Sequence, residues 1–142
     1  MRYNTDNILF LQRKNPWWSN VSLIEVDEKL QELKSLKYQY HFSQLDRINL
    51  KDPGIYTIRG IRQIGKSTAI KILVKQLLLS DKVDPKSIVY FSCESIHDDR
   101  ELFALIDAYL KNIAQSSHAF IFIDEITSVS YTHLTLPTIL RV

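Results

Sequence analysis

Gly60-Ile61-Arg62-Gln63-Ile64-Gly65-Lys66-Ser67 constrains this chain more than any other stretch, because it sets two glycines with four residues between them, the second directly before a lysine and a hydroxyl. Only three glycines occur in all 142 residues, and two of them stand here. Before the motif, Gly54 to Arg59 (GIYTIR) is a β-branched and aromatic run that predicts a strand. After it, Ile70, Leu73, Val74, Leu77 and Leu78 recur at helical spacing, which predicts a helix over Lys66 to Leu79. A glycine loop between strand and helix can curl so that successive amides point at phosphate oxygens, and the helix N-terminus adds its positive dipole end. The expected nucleotide contacts are therefore Gly60, Ile61, Arg62, Gln63, Ile64, Gly65, Lys66, Ser67 and Thr68. Lys66 supplies a point charge to the β- and γ-phosphates, and the Ser67 hydroxyl ligates Mg²⁺. Arg59, Arg62 and Gln63 read as variable or packing side chains.

The text on either side alternates between strand and helix. Asp84 and Pro85 mark a turn, and Ser87 to Cys93 (SIVYFSC) reads as a second buried strand. Asp98 with Glu101 three residues on is a capping-box variant. It opens a helix whose stripe is Leu102, Leu105, Ile106, Tyr109, Leu110 and Ile113. A polar turn from Gln115 to His118 precedes a third strand, Ala119 to Ile123. Uniformly apolar strands separated by helices predict an α/β fold with a parallel sheet covered on both faces.

That third strand ends in Asp124 and Glu125. Such sheets present ligands at the carboxyl ends of their strands, so Asp124 is expected beside the Mg²⁺ that Ser67 holds. Glu125 is then placed to orient a water or accept its proton, which makes Glu125 and Lys66 the candidate catalytic residues. An adjacent Asp-Glu pair favours ATP hydrolysis over phosphoryl transfer to a small acceptor. It also implies a further strand between the loop strand and the acidic strand. Two alternatives stay open: a P-loop kinase or GTPase, although no guanine-reading Asn-Lys-x-Asp segment occurs, and a module in which ATP binding switches a partner surface.

Upstream, Asn4 or Thr5 can cap a short helix over Asn7 to Gln12, and Asn15, Pro16, Trp17 and Trp18 then form a loop. The paired tryptophans are expected to pack this arm on the domain; a stacking surface for a base or partner is the rival reading. Val26, Leu30, Leu33 and Leu36 predict an amphipathic helix. Tyr38 to Leu50 is irregular or weakly strand-like, with His41 a surface or packing residue. The formal charge of +2 asks for neither nucleic acid nor an anionic membrane, and the four-residue apolar run Ile8 to Leu11 is too short for a signal core or a spanning helix. These features predict a cytoplasmic chain without a membrane partner. Cys93, the single cysteine, reads as a small buried hydrophobe, and Glu94 as a solvated strand end.

RGIRQIGKST (Arg59 to Thr68), FIFIDEITS (Phe120 to Ser128), YFSCE (Tyr90 to Glu94) and NPWW (Asn15 to Trp18) together resemble a group of bacterial and archaeal AAA-type ATPases. Members usually read RGPRQVGKTT at the loop, so Ile61 replaces a proline, and they carry a C-terminal domain of unknown function. The resemblance runs from Asn15 to Ser128. It implies an AAA-like core, Mg-ATP as ligand and a longer chain. It leaves the protein or DNA partner open and is compatible with a homo-oligomer of the full-length form.

Past Ser128 the resemblance stops, and Val129 to Thr138 (VSYTHLTLPT) instead resembles one translated frame of a transposon-end sequencing adaptor. The last fourteen residues hold a single charged group, Arg141, whose removal leaves a net charge of +1. The expected organisation is an N-terminal arm (1–50), a partial ATPase domain truncated after its third strand (51–128) and a non-native tail (129–142). Without the inserted strand the two flanking strands lose a central partner. The 142 residues alone are then expected either to fold poorly or to recruit Tyr131 to Leu136 as a makeshift strand ending at Pro137, and in both cases to be inactive.

Overall fold

The computed structural model describes residues 4–36, 43–58, 65–115, 118–126 and 139–141. Its helices are α1 (Asn4–Lys14), α2 (Glu28–Ser35), α3 (Lys66–Lys75) and α4 (Asp99–Asn112), and its strands are β1 (Ile55–Thr57), β2 (Ile88–Ser92), β3 (Phe120–Asp124) and β4 (Ile139–Arg141). Short 3₁₀ turns join them, and α3 runs on into a π-helical turn, Gln76–Ser80. The chain is α/β with its sheet flanked by helices. His41 lies outside the described residues.

The sheet order is β1-β4-β3-β2. β2 and β3 are parallel in the register Ile88↔Phe120 to Ser92↔Asp124, and a further bond from the Cys93 amide to the Asp124 carbonyl extends the ladder. β4 is antiparallel to both β1 and β3, so β1, β2 and β3 share one direction. β1 and β3 are thus separated by one strand, antiparallel to both, in the place where the acidic pair implies a further strand. The expected segment, Tyr131 to Leu136, lies outside the described residues; the strand described there is 139–141. It begins two residues after Pro137, where a residue without an amide proton no longer interrupts the ladder. Residues 131–138 lie outside the described residues.

Every residue of β2 except Ser92, and every residue of β3, is buried, and their period of two divides the core. Ile88, Tyr90, Phe120 and Phe122 face a cluster with Ile70, Leu73, Val74 and Leu77 of α3 and its extension, together with Trp17, Ile24 and Leu30 from the arm. Val89, Phe91, Ile121 and Ile123 face Leu102, Leu105 and Tyr109 of α4, with Leu11 of α1. At α4 the cap forms with a shifted return bond: the Glu101 amide donates to Asp98 Oδ1 at 2.9 Å, while Glu101 Oε2 accepts from the amide of His97, one residue before the cap, at 3.1 Å.

α2 is shorter than its apolar spacing predicts. Asp27 accepts from the amides of Lys29 and Leu30 and so starts the helix after Val26, which sits in a preceding 3₁₀ turn. Val26 and Leu36 are exposed and only Leu30 of the predicted stripe is buried, because the element is too short to lay four apolar positions on one surface.

The N-terminal arm closes the free edge of β2. Asn15 is fully buried; its amide nitrogen donates to the Tyr90 carbonyl at 2.9 Å and to Leu11 O at 2.7 Å, and its Oδ1 accepts from the Tyr90 amide at 2.6 Å. Two residues along the same edge, Ile88 O accepts from the indole nitrogens of Trp17 at 3.3 Å and Trp18 at 2.7 Å. Side chains here occupy the positions of a neighbouring strand, which blocks an edge that would otherwise pair with another chain. Trp18 also stacks on Tyr109. The tryptophans therefore pack the arm on the domain.

Candidate nucleotide site

Where β1 gives way to α3, Gly65 has φ 86°, the left-handed region that glycine enters without a Cβ penalty, and its carbonyl accepts the first α3 hydrogen bond, from the Ala69 amide at 2.8 Å. The helix begins at Lys66, so the amides of its first turn have no intrahelical partners. Gly60 to Ile64 lie outside the described residues. Gly65, Lys66, Ser67 and Thr68 all line a cleft of about 580 Å³, together with Asp124 and Glu125 from the end of β3. The structure thus brings the second half of the phosphate loop and the acidic pair to one place.

The closest contact there joins Ser67 to Asp124, residues 57 positions apart in sequence: the Ser67 hydroxyl donates to Asp124 Oδ2. Asp124 is only 2% exposed. A carboxylate this deep is tolerated when its lone pairs are used, and Asp124 also accepts from the Tyr90 hydroxyl at Oδ2 (3.1 Å) and from the Glu125 amide at Oδ1 (2.9 Å). Burial first, and then the negative charge of Asp124, push the Tyr90 hydroxyl well above the usual phenol range, so it stays protonated and donates. The same two causes, with Glu125 added, push the buried Cys93 thiol up to about 12.

Glu125 has φ 54°, a left-handed conformation that costs a residue with a Cβ about 1 kcal/mol. Such backbone occurs where the surrounding structure over-determines it. Here Ile126, 1% exposed, anchors the chain in the α4-side core immediately afterwards, and the Glu125 amide is turned back onto Asp124. Its side chain is left partly exposed at the cleft.

The cleft has walls that the motifs do not announce. Tyr90, Ser92 and Glu94 of the β2 edge line it, and so do Lys14, Glu28 and Lys29 of the arm. Glu94 is exposed and faces the cleft, so it is both a solvated strand end and part of the site. Tyr90 was hidden from sequence reasoning because a tyrosine in an apolar run reads as core, and only the β2/β3 register puts its hydroxyl on Asp124. A second buried polar contact lies behind it: Lys71 of α3 pairs with Asp27 at 2.9 Å and stands 4.1 Å from the Tyr90 ring centroid.

A left-handed glycine opening a helix, with a serine of that helix bonded to the terminal aspartate of a strand that runs in the same direction as β1, is the arrangement of a P-loop nucleotide-binding domain of ATPase type. The chain belongs to the AAA domain family, whose family model matches residues 52–141. No curated protein and no solved structure matches it.

The donor set suits the Mg²⁺ that typically accompanies ATP in this family. A hydroxyl and a carboxylate are hard oxygen donors. Among the described residues no cluster of three or more His, Cys, Asp or Glu forms. Ser67 and Asp124 alone leave most coordination positions to phosphate and water, which is the pattern Mg²⁺ favours.

Proposed function

We propose that the protein binds Mg-ATP in this cleft and, in its full-length form, hydrolyses it to ADP and phosphate to drive a conformational change. The Ser67–Asp124 contact at the head of α3 carries the reading. Ser67 and Asp124 would hold Mg²⁺, which supplies charge neutralisation of the phosphates when bound. Lys66 binds the β- and γ-phosphates, and the amides of Gly65 to Thr68 line the phosphate path. Glu125 orients the attacking water and accepts its proton, a role that suits a partly exposed carboxylate one residue past Asp124. Gly60 to Ile64 complete the loop. We assign residues 1–50 to the arm, 51–128 to a partial ATPase domain and 129–142 to a non-native tail, whose residues 139–141 supply β4. We place the protein in the cytoplasm; among the described residues no helix is long and apolar enough to cross a membrane.

A switch reading, in which ATP binding alters a partner surface and turnover is incidental, draws on the arm residues Lys14, Glu28 and Lys29 that border the same cleft. Glu125→Gln separates the two, because a switch keeps its partner response while hydrolysis stops. Hydrolysis should fall by about two to four orders of magnitude with ATP still bound. Turnover equal to that of the unsubstituted protein removes Glu125 from the chemistry.

A further inference from the structure

Asp124 takes two hydrogen bonds at one oxygen from very different sources. Ser67 belongs to the nucleotide site itself. Tyr90 lies on β2, outside the loop and outside the acidic pair, and everything around it restrains its movement. Its amide and carbonyl are both held by Asn15, its ring lies in the core on the α3 side, and the Lys71 ammonium stands over that ring at 4.1 Å. Lys71 is fixed in turn by Asp27, the cap of α2, at 2.9 Å.

We propose that Tyr90 is a positioning residue for the metal-binding carboxylate: its hydroxyl fixes Asp124 Oδ2 in the orientation that receives the cation. This rests on the Mg-ATP reading above. An unrestrained aspartate rotates freely about its terminal torsion, and a cation bound by few protein ligands depends on how well each is oriented. The main-chain amide of Glu125 holds Oδ1, so a donor on Oδ2 fixes the plane of the carboxylate. Tyr90 can supply that donor whether or not the loop is occupied, because its own position depends on β2 and the arm. The Lys71 ammonium 4.1 Å from the ring centroid holds the phenol from the α3 side. Asp27 and Lys71 thereby connect the arm to the carboxylate through contacts that are all within hydrogen-bond or ring-contact distance.

The test is calorimetric titration of the protein with Mg-ATP and with ATP in excess EDTA, comparing the unsubstituted chain, Tyr90→Phe and Tyr109→Phe. Tyr109 is the control, since its hydroxyl is equally bound to protein, donating to Lys86 O at 2.8 Å, but does not line the cleft. Loss of a partner that orients a metal ligand commonly lowers metal affinity about 10- to 100-fold. In Tyr90→Phe the advantage of Mg-ATP over metal-free ATP should shrink by that factor while metal-free affinity stays within about two-fold; Tyr109→Phe should change neither. In an Asp124→Asn background, adding Tyr90→Phe should have no further effect on the ratio. An unchanged Mg²⁺ advantage in Tyr90→Phe overturns the proposal. So does an equal loss of affinity with and without metal, which would mark a role in the fold alone. If the unsubstituted protein binds no ATP under either condition, the nucleotide reading itself fails.

Discussion

Replacing Asn15 with alanine tests how far the arm supports the site. The side chain is completely buried and makes three hydrogen bonds, two of them to the backbone of Tyr90. Alanine leaves the Tyr90 amide and carbonyl without partners at a closed sheet edge, and each unsatisfied buried group costs about 1 to 3 kcal/mol. The loss is therefore about 2 to 6 kcal/mol, with the lower end reached if a water enters the vacated space. Against a domain stability of about 5 to 15 kcal/mol this is a large fraction. With a urea slope of about 2 kcal/mol/M, the unfolding midpoint should fall by at least about 1 M. Asn15→Asp should fare little better, because it keeps the acceptor for the Tyr90 amide but loses both donated bonds and buries a charge. Equilibrium urea unfolding followed by circular dichroism is the assay. A midpoint shift below about 0.3 M for Asn15→Ala, at constant slope, would refute the claim that Asn15 substitutes for a neighbouring strand.

Two further outcomes follow from the sheet. Leu140 pairs with both Tyr56 and Phe122, so its amide points into a ladder on one side or the other; Leu140→Pro removes that bond and should cost about 1 to 3 kcal/mol in thermal or urea unfolding, and a neutral result would mean that β4 is not held between β1 and β3. The Cys93 thiol, fully buried and pushed up to about 12, should resist thiol reagents at pH 8 until the protein unfolds. Its raised folded-state value also means that its contribution to stability is complete below the ordinary thiol value of 9.0 and is lost as pH rises from there toward about 12. Labelling at the rate of an exposed thiol, or stability that does not decline over that alkaline range, would contradict this burial.

The parts of the fold that follow from local chemistry were legible in the amino acids: the glycine loop opening α3, the Asp98 cap of α4, and the apolar runs of β2 and β3. Asp124 could be placed beside Ser67 because parallel strands in such a sheet all end on one side. What escaped depends on which strand lies at an edge. Asn15, Trp17 and Trp18 matter because β2 has no strand beyond it among the described residues, and nothing in NPWW states that its polar atoms fit the groups of Ile88 and Tyr90. Tyr90 and Lys71 are hidden for a related reason: one sits in an apolar run and the other in an apolar helical stripe, and their polar ends meet Asp124 and Asp27 only in three dimensions. The position of β4 was half legible. A strand between β1 and β3 is expected from the acidic pair, but spacing does not say that residues 139–141 supply it.

The central claim is that the cleft between α3 and the end of β3 holds ATP through Lys66. Calorimetric titration of Mg-ATP into the full-length protein, unsubstituted and with Lys66→Ala, measures it directly. Binding is predicted for the first and its loss for the second, because the alanine removes the cation assigned to the β- and γ-phosphates at the N-terminus of α3. Equal affinity in the two proteins would contradict the account.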